Sequence, residues 1–455
     1  MKKTIIELLI LLCISLSIIF FQFNQVPKKL SWDEVEFTRL ALDLENKPYT
    51  PYSRLATGHS TLYFYIILSS IKIFGLTNFA LRLPSALFGV LNILIFYLIT
   101  SLVFTKIKYF SNSFLNSSFI PFLLSVILIS SRWYFNFARF SFEATFLLFL
   151  ELCSIYFFIK FVQSSFWQAR NERVKNRSSE PRFRTSYNPE RGKSRDRNDV
   201  KNLIISTVFS GLAFLSYYPG RIFFLLPLGF LVFYSPKRLL KRNLLIFTTT
   251  FILISSSLIT YLATDKDLRI QEQLFIADKK LTIKEKVSYL GLNTIKLGYM
   301  FTHSGDLNGR HNYPGKALFN PVTGAFFLFG FLVTLIHLKN YYNQFFLSYF
   351  ILSLIPALFT YPAENPNSLR TYTAIIPSIY FLGNGLIYLF QSEQKSKTLL
   401  LHVILFLLVL FALSSLYDFR TYFLYQKVVF TKAFELNGSI QRILNLKLWE
   451  KTGEI

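Results

Sequence analysis

Apolar runs of membrane-spanning length recur along nearly the whole 455-residue chain. About 17–25 apolar residues in a helix cover the ~30 Å hydrocarbon core of a bilayer. In that core only a helix or a closed barrel satisfies its own backbone. The runs fall near residues 5–23, 83–105, 118–131, 142–162, 202–218, 222–234, 244–262, 318–337, 345–361, 372–390 and 398–416. They predict an all-α integral membrane protein with about eleven transmembrane helices. Only 16% of the residues are charged and 18% are aromatic, whereas a soluble domain carries about 25% charged residues.

The formal net charge of +24 does not point to nucleic acid, because Lys and Arg gather in the loops between apolar runs. Topology selection and anionic lipid headgroups produce that distribution. Lys2 and Lys3 place the amino terminus in the cytoplasm, and the first run reads as an uncleaved helix. The first loop, 24–82, is then external. Within it, the short stretch from His59 to Phe74 predicts an amphipathic juxtamembrane helix at the outer interface. The tract 163–201 holds eleven Lys and Arg against five acids and few apolar residues, a composition that predicts a disordered cytoplasmic loop. Residues 263–317 form a long external loop, and 417–455 a short external tail after the polytopic domain 1–416. Cys13 and Cys153 lie in separate apolar runs and form no disulfide framework.

With this topology, every polar cluster set among the apolar runs reaches the external side. Ser31-Trp32-Asp33-Glu34 follows the first run, so two adjacent carboxylates stand just outside the membrane. A carboxylate placed there can take a proton from an acceptor hydroxyl as it attacks an electrophile. Asp33 and Glu34 cannot both point one way on a helix, so one faces the site and the other supports it. Arg82, Arg139, Arg221, Arg310 and Arg370 lie at outer span ends. Arginine grips phosphate oxygens in a bidentate fork and keeps its charge when desolvated, and a lipid phosphate is the anion found at that depth. Snorkelling to headgroups is the alternative for some of the five.

His59 is a candidate for phosphate, metal or sugar hydroxyl. His303, Asp306 and His311 in the turn-rich segment after Phe301 raise a metal site without regular ligand spacing. The chain holds no phosphate-cradling glycine loop, dinucleotide fingerprint or nucleophile elbow.

Taken in order, these motifs carry a resemblance. The acidic pair after the first run, His59-Ser60-Thr61-Leu62, and Arg82-Leu83-Pro84-Ser85 are followed by Ala138-Arg139 with Glu143. Gly305-Asp306, Arg310 to Gly315, and Ser368-Leu369-Arg370 complete the series. Together they resemble the GT-C membrane glycosyltransferases of the protein O-mannosyltransferase and aminoarabinose transferase kind, over most of residues 1–390.

The resemblance implies a GT-C fold that transfers a sugar, with inversion, from a polyprenyl-phosphate-linked donor to a hydroxyl of a lipid, glycan or protein acceptor outside the cytoplasm. The host membrane would be the bacterial inner membrane. Asp33 matches the essential acid and Glu34 its companion. His59 matches the position near the donor phosphate, where Arg82, Arg139, Arg221, Asp306, Arg310 and Arg370 would also act. Relatives commonly read His-Pro-Pro-Leu where this chain reads His59-Ser60-Thr61-Leu62. It fixes no cofactor, and a divalent metal ion stays open.

Two other classes stay open from the sequence alone. A lipid-linked sugar flippase would want ionisable groups near the midplane of several spans. An O-antigen-type polymerase or ligase would centre on a large late external loop, such as 263–317. The placement itself is testable. With Cys13 and Cys153 replaced by serine, Asp33→Cys and Arg370→Cys are expected to react with a membrane-impermeant maleimide from the same side of the membrane.

Overall fold

In a computed structural model, residues 2–104, 118–177, 189–265, 267–392 and 397–445 are described. Helix α1, Lys2–Phe20, leads into a stretch of turns and then α2, Trp32–Asp43. The sequence Ser31-Trp32-Asp33-Glu34 dictates where α2 starts. Ser31 Oγ accepts from the Glu34 amide and the Glu34 carboxylate accepts from the Ser31 amide, so two otherwise unpaired donors are satisfied reciprocally.

A two-stranded antiparallel ribbon follows, β1 (Tyr52–Ser53) with β2 (His59–Ser60), pairing Tyr52 with Ser60 and Ser53 with His59. Gly58 in its turn takes φ 90°, a conformation that glycine adopts without steric cost. Helix α3, Leu62–Phe74, completes the first loop.

The bundle continues with α4 (Asn78–Phe104), α5 (Phe119–Ser130), the short α6 (Arg132–Phe137) and α7 (Ala144–Arg177). Next come α8 (Pro189–Phe214), α9 (Leu225–Tyr234) and α10 (Lys237–Thr264). The segment 263–317, read as a loop, contains α11 (Leu268–Gln273) and α12 (Ile283–Met300). Thr282 and Glu285 cap α12 in the same reciprocal way as Ser31 and Glu34 cap α2. The chain ends with α13 (Pro321–Ile336), α14 (Tyr341–Leu358), α15 (Ile375–Ser392), α16 (Lys397–Arg420) and α17 (Lys427–Ala433).

Helices occupy each of the eleven apolar segments, but they are not equal. Among the described residues, six are long and apolar enough to cross a membrane: Lys3–Phe20, Asn78–Phe104, Ala144–Ser164, Lys237–Thr264, Tyr372–Phe390 and Thr398–Ala433. With 12 residues in α5 and 10 in α9, a rise of ~1.5 Å per residue leaves either helix well short of the ~30 Å core. The basic tract 163–201 is helical where it is described, through Arg177 and again from Pro189. Residues 178–188 lie outside the described residues.

The segment after 416, expected as a plain tail, packs back on the first loop. Helix α16 continues to Arg420, and one widened π-type turn, Thr421–Gln426, joins it to α17. The amide of Leu436 donates to the Leu30 carbonyl and the amide of Leu30 to the Leu436 carbonyl, both at 3.0 Å. The Ile440 amide donates to Asn78 Oδ1 at 2.9 Å.

Small residues let the helices approach where lipid-like side chains would hold them apart. A Cβ built on Gly330 of α13 would lie 1.8 Å from the Phe381 carbonyl oxygen of α15. Backbone cannot retreat as a side chain does. Gly330→Ala is therefore expected to push α13 from α15 and destabilise the protein by about 1–3 kcal/mol, read as a lowered thermal unfolding midpoint in detergent.

Candidate functional site

A cavity of about 380 Å³ opens at one end of the bundle. Asp33 at the start of α2, Asp306, Arg310 and His311 from the loop after α12, and Glu364 and Arg370 from the loop before α15 line it. Gln273, Asn308, Asn367 and Tyr217 add polar groups to its wall. Charged groups supplied by loops and helix ends, fixed on a rigid bundle, are the usual construction of a binding site.

Asp33 and Arg310 face each other across the cavity as an ion pair between Asp33 Oδ2 and Arg310 Nη1. Their side chains are 45% and 24% exposed. Arg370 is buried. Its Nη2 pairs with Glu364 and donates to Gln273 Oε1 at 3.1 Å, while its Nη1 has no hydrogen-bond partner among the described residues. Asp306 is held from several directions. Oδ2 accepts from the Ser368 amide at 2.8 Å and the Ser368 hydroxyl at 2.9 Å, with His311 Nδ1 at 3.1 Å. Oδ1 accepts from the Asn308 amide at 2.8 Å. Burial alone would raise the Asp306 carboxyl, but the His311 imidazole and these hydrogen bonds outweigh it and hold it below the usual range.

The loop bearing Arg310 and His311 is fixed from beneath. Asn136 of α6 donates through Nδ2 to the carbonyls of both residues, each at 3.0 Å. Arg132 donates to Asn312 Oδ1 and to the Ala317 carbonyl at 2.9 Å.

The structure thus brings together Asp33, Asp306, Arg310 and Arg370 of the anticipated site. The other five do not line the cavity. Glu34, expected beside Asp33 as a catalytic acid, is fully buried and bound to Arg82: Nε to Oε1 at 2.7 Å and Nη2 to Oε2 at 3.0 Å. The Ser141 amide adds a third contact at 3.2 Å. Arg82, expected at the phosphate, uses its remaining donors on the Pro27 carbonyl at 2.6 Å and the Lys29 carbonyl at 2.7 Å.

Arg139 caps the carboxy-terminal end of α1, donating to the carbonyls of Ile18, Ile19, Gln22 and Val26. That satisfies acceptors a helix end leaves unpaired. Its guanidinium also sits 5.1 Å from the Phe423 ring centre. Arg221 pairs with Asp267 and donates to Ser60 Oγ at 3.2 Å. His59 is buried with Nδ1 2.9 Å from Glu143 Oε1. All five are buried because sequence reports a residue's depth along a span and not the direction of its side chain.

The change from two prolines to Ser60-Thr61 also has a structural counterpart. The Thr61 amide donates to the Pro51 carbonyl at 3.1 Å, a bond that proline lacks the N–H to make. Among the described residues no group of three or more His, Cys, Asp or Glu is placed to hold a metal ion. Asp33 is paired with Arg310 and Asp306 with four donors.

No family model matches the chain, and no curated protein matches it. Among solved structures it is similar to the oligosaccharyltransferase AglB of Archaeoglobus fulgidus in complex with an inhibitory peptide and a dolichol-phosphate. The TM-score is 0.54 at 14% identity, over 98% of this chain and 57% of that one. The apo form of the Archaeoglobus enzyme gives the same TM-score over 99% of this chain and 58% of that one. ArnT of Cupriavidus metallidurans bound to undecaprenyl phosphate gives 0.46 at 11% identity, over 83% and 59%. The likeness to the Archaeoglobus enzyme shows that the chain has the fold of the GT-C membrane glycosyltransferases. It spans a little over half the length of these neighbours.

The division between Asp33 and Glu34 is measurable. Glu34→Ala leaves the Arg82 guanidinium buried without its counter-ion and is expected to cost about 3–5 kcal/mol, seen as lost monodisperse protein or a large fall in unfolding midpoint. Asp33→Asn is expected to stay within about 0.5 kcal/mol of the native protein.

Proposed function

We propose that this protein is an inverting glycosyltransferase. It moves a sugar from a polyprenyl-phosphate-linked donor to a hydroxyl acceptor on the extracytoplasmic face of the membrane. The observation that carries the reading is the single cavity in which Asp33 stands with Arg310, His311 and Arg370. A general base and a set of phosphate-binding groups are the minimum a one-step glycosyl transfer from a lipid phosphate needs.

In that reaction the acceptor oxygen attacks the anomeric carbon from the face opposite the phosphate. Asp33 takes the acceptor's proton as the new C–O bond forms. The anomeric C–O bond to phosphate breaks, and its electron pair leaves with the phosphate oxygen. Arg310 and Arg370, with His311 beside them, take up the charge that grows on that oxygen. Groups aimed in advance at developing charge, in a site screened from water, contribute most to lowering such barriers. Asp306 touches both His311 and Ser368, two residues before Arg370, so it acts as a positioning residue that joins the two cationic loops.

Two further points support transfer over transport. The cavity's charged groups come from loops and the first turn of α2, whereas a transport path wants them near the midplane of the spans. Sugar nucleotides are cytosolic, so chemistry on the outer face requires a sugar carried on a lipid.

Asp33→Asn is expected to lower glycosyl transfer by roughly 10²–10⁴-fold while the purified protein keeps its native unfolding midpoint. Near-normal transfer by this variant, assayed with lipid-linked sugars and a panel of hydroxyl acceptors, would refute the assignment.

A further inference from the structure

The two groups to which the reaction gives opposite tasks are bound to one another. Asp33, the base, and Arg310, a phosphate ligand, form an ion pair inside the cavity. Arg310 has one guanidinium, and as paired it presents Nη1 to Asp33. A phosphate oxygen arriving at the same donor competes with the Asp33 carboxylate for it. The two anions would also repel one another if both stayed.

The neighbouring cation is held differently. Arg370 is nine-tenths buried and lines the same cavity, and its Nη1 has no hydrogen-bond partner among the described residues although Nη2 is engaged by Glu364 and Gln273. A buried donor of this kind is costly to leave unmet and is itself a reason for an anion to enter.

We propose that Arg310 is exchanged between Asp33 and the donor's lipid phosphate, so that the base is released only when the donor is bound. This rests on the proposed transferase reading and adds an order of events to it. The phosphate docks first on Arg370, whose position is fixed by burial. Arg310 then leaves Asp33 for the phosphate, and the freed carboxylate turns to the acceptor hydroxyl. Before the donor arrives, Asp33 is occupied by its arginine and does not draw a proton from water or from an acceptor. No bond is made or broken in the exchange.

The proposal has a counterintuitive consequence for binding. Removing the catalytic carboxylate should improve affinity for the leaving group, because the competitor for Arg310 is gone. Undecaprenyl phosphate titrated into detergent-purified protein is expected to bind Asp33→Asn about two- to fivefold more tightly than native protein, the strength of one partly exposed ion pair. Loss of simple charge repulsion would also tighten binding, and a double-mutant cycle separates the two. Arg310→Gln should bind more weakly than native. Asp33→Asn added to Arg310→Gln should then bring no further gain.

Equal or weaker binding by Asp33→Asn overturns the exchange. So does a gain of the same size in the Arg310→Gln background. Each variant's unfolding midpoint is measured alongside, so that misfolding is not read as weak binding. The transferase reading fails by a different result, normal turnover of Asp33→Asn, and the two failures are distinguishable.

Discussion

A fully buried ion pair, Arg82 of α4 with Glu34 of α2, ties the first loop to the bundle. Glu34 accepts from Arg82 through both oxygens, from the Ser31 amide and from the Ser141 amide. One carboxylate therefore joins α2, α4 and the turn that opens α7. Removing two charges from water is expensive, and only a geometry that satisfies their hydrogen bonds repays it. Here Arg82 donates its remaining hydrogens to the Pro27 and Lys29 carbonyls, which fixes the chain leading into α2 as well. Arg139 does the same work at the end of α1, meeting four carbonyls. The start of α2 has no freedom to drift.

That rigidity explains how two adjacent acids acquire separate roles. Successive residues on a helix point about 100° apart. With Glu34 turned inward to Arg82, Asp33 is turned out, half-exposed, into the cavity. The cap that starts the helix, the strut that anchors it and the carboxylate that faces the cavity are thus set by one short sequence. On the far side of the cavity, Asn136 and Arg132 of α6 hold the 306–317 loop, and Asp306 links that loop to Ser368. Asp33 and the cationic side chains reach one cavity because each is carried on backbone that the bundle holds in place.

The carboxy-terminal segment takes part in this framework. Leu436 pairs with Leu30 immediately before α2, and the Phe434 ring lies 5.9 Å from the Arg82 guanidinium. The segment that follows α17 thus covers the strut on which the first loop depends. Composition gave no sign of this, since an apolar stretch after the final span reads the same whether it packs or trails.

Hydropathy alone determined that this is a helical membrane protein, because hydrocarbon leaves a backbone few ways to satisfy itself. The order of Asp33, Arg310 and Arg370 along it marked them as candidate site residues. Only the tertiary structure separated those three from Glu34, Arg82, Arg139, Arg221 and His59, all charged or polar groups at similar depth in the sequence. The physical reason is directional. Periodicity and charge fix how far along a span a side chain lies, while the neighbours that satisfy or expose it come from helices tens or hundreds of residues away. An arginine facing four carbonyls, such as Arg139, and an arginine facing a cavity, such as Arg310, look identical until those helices are packed.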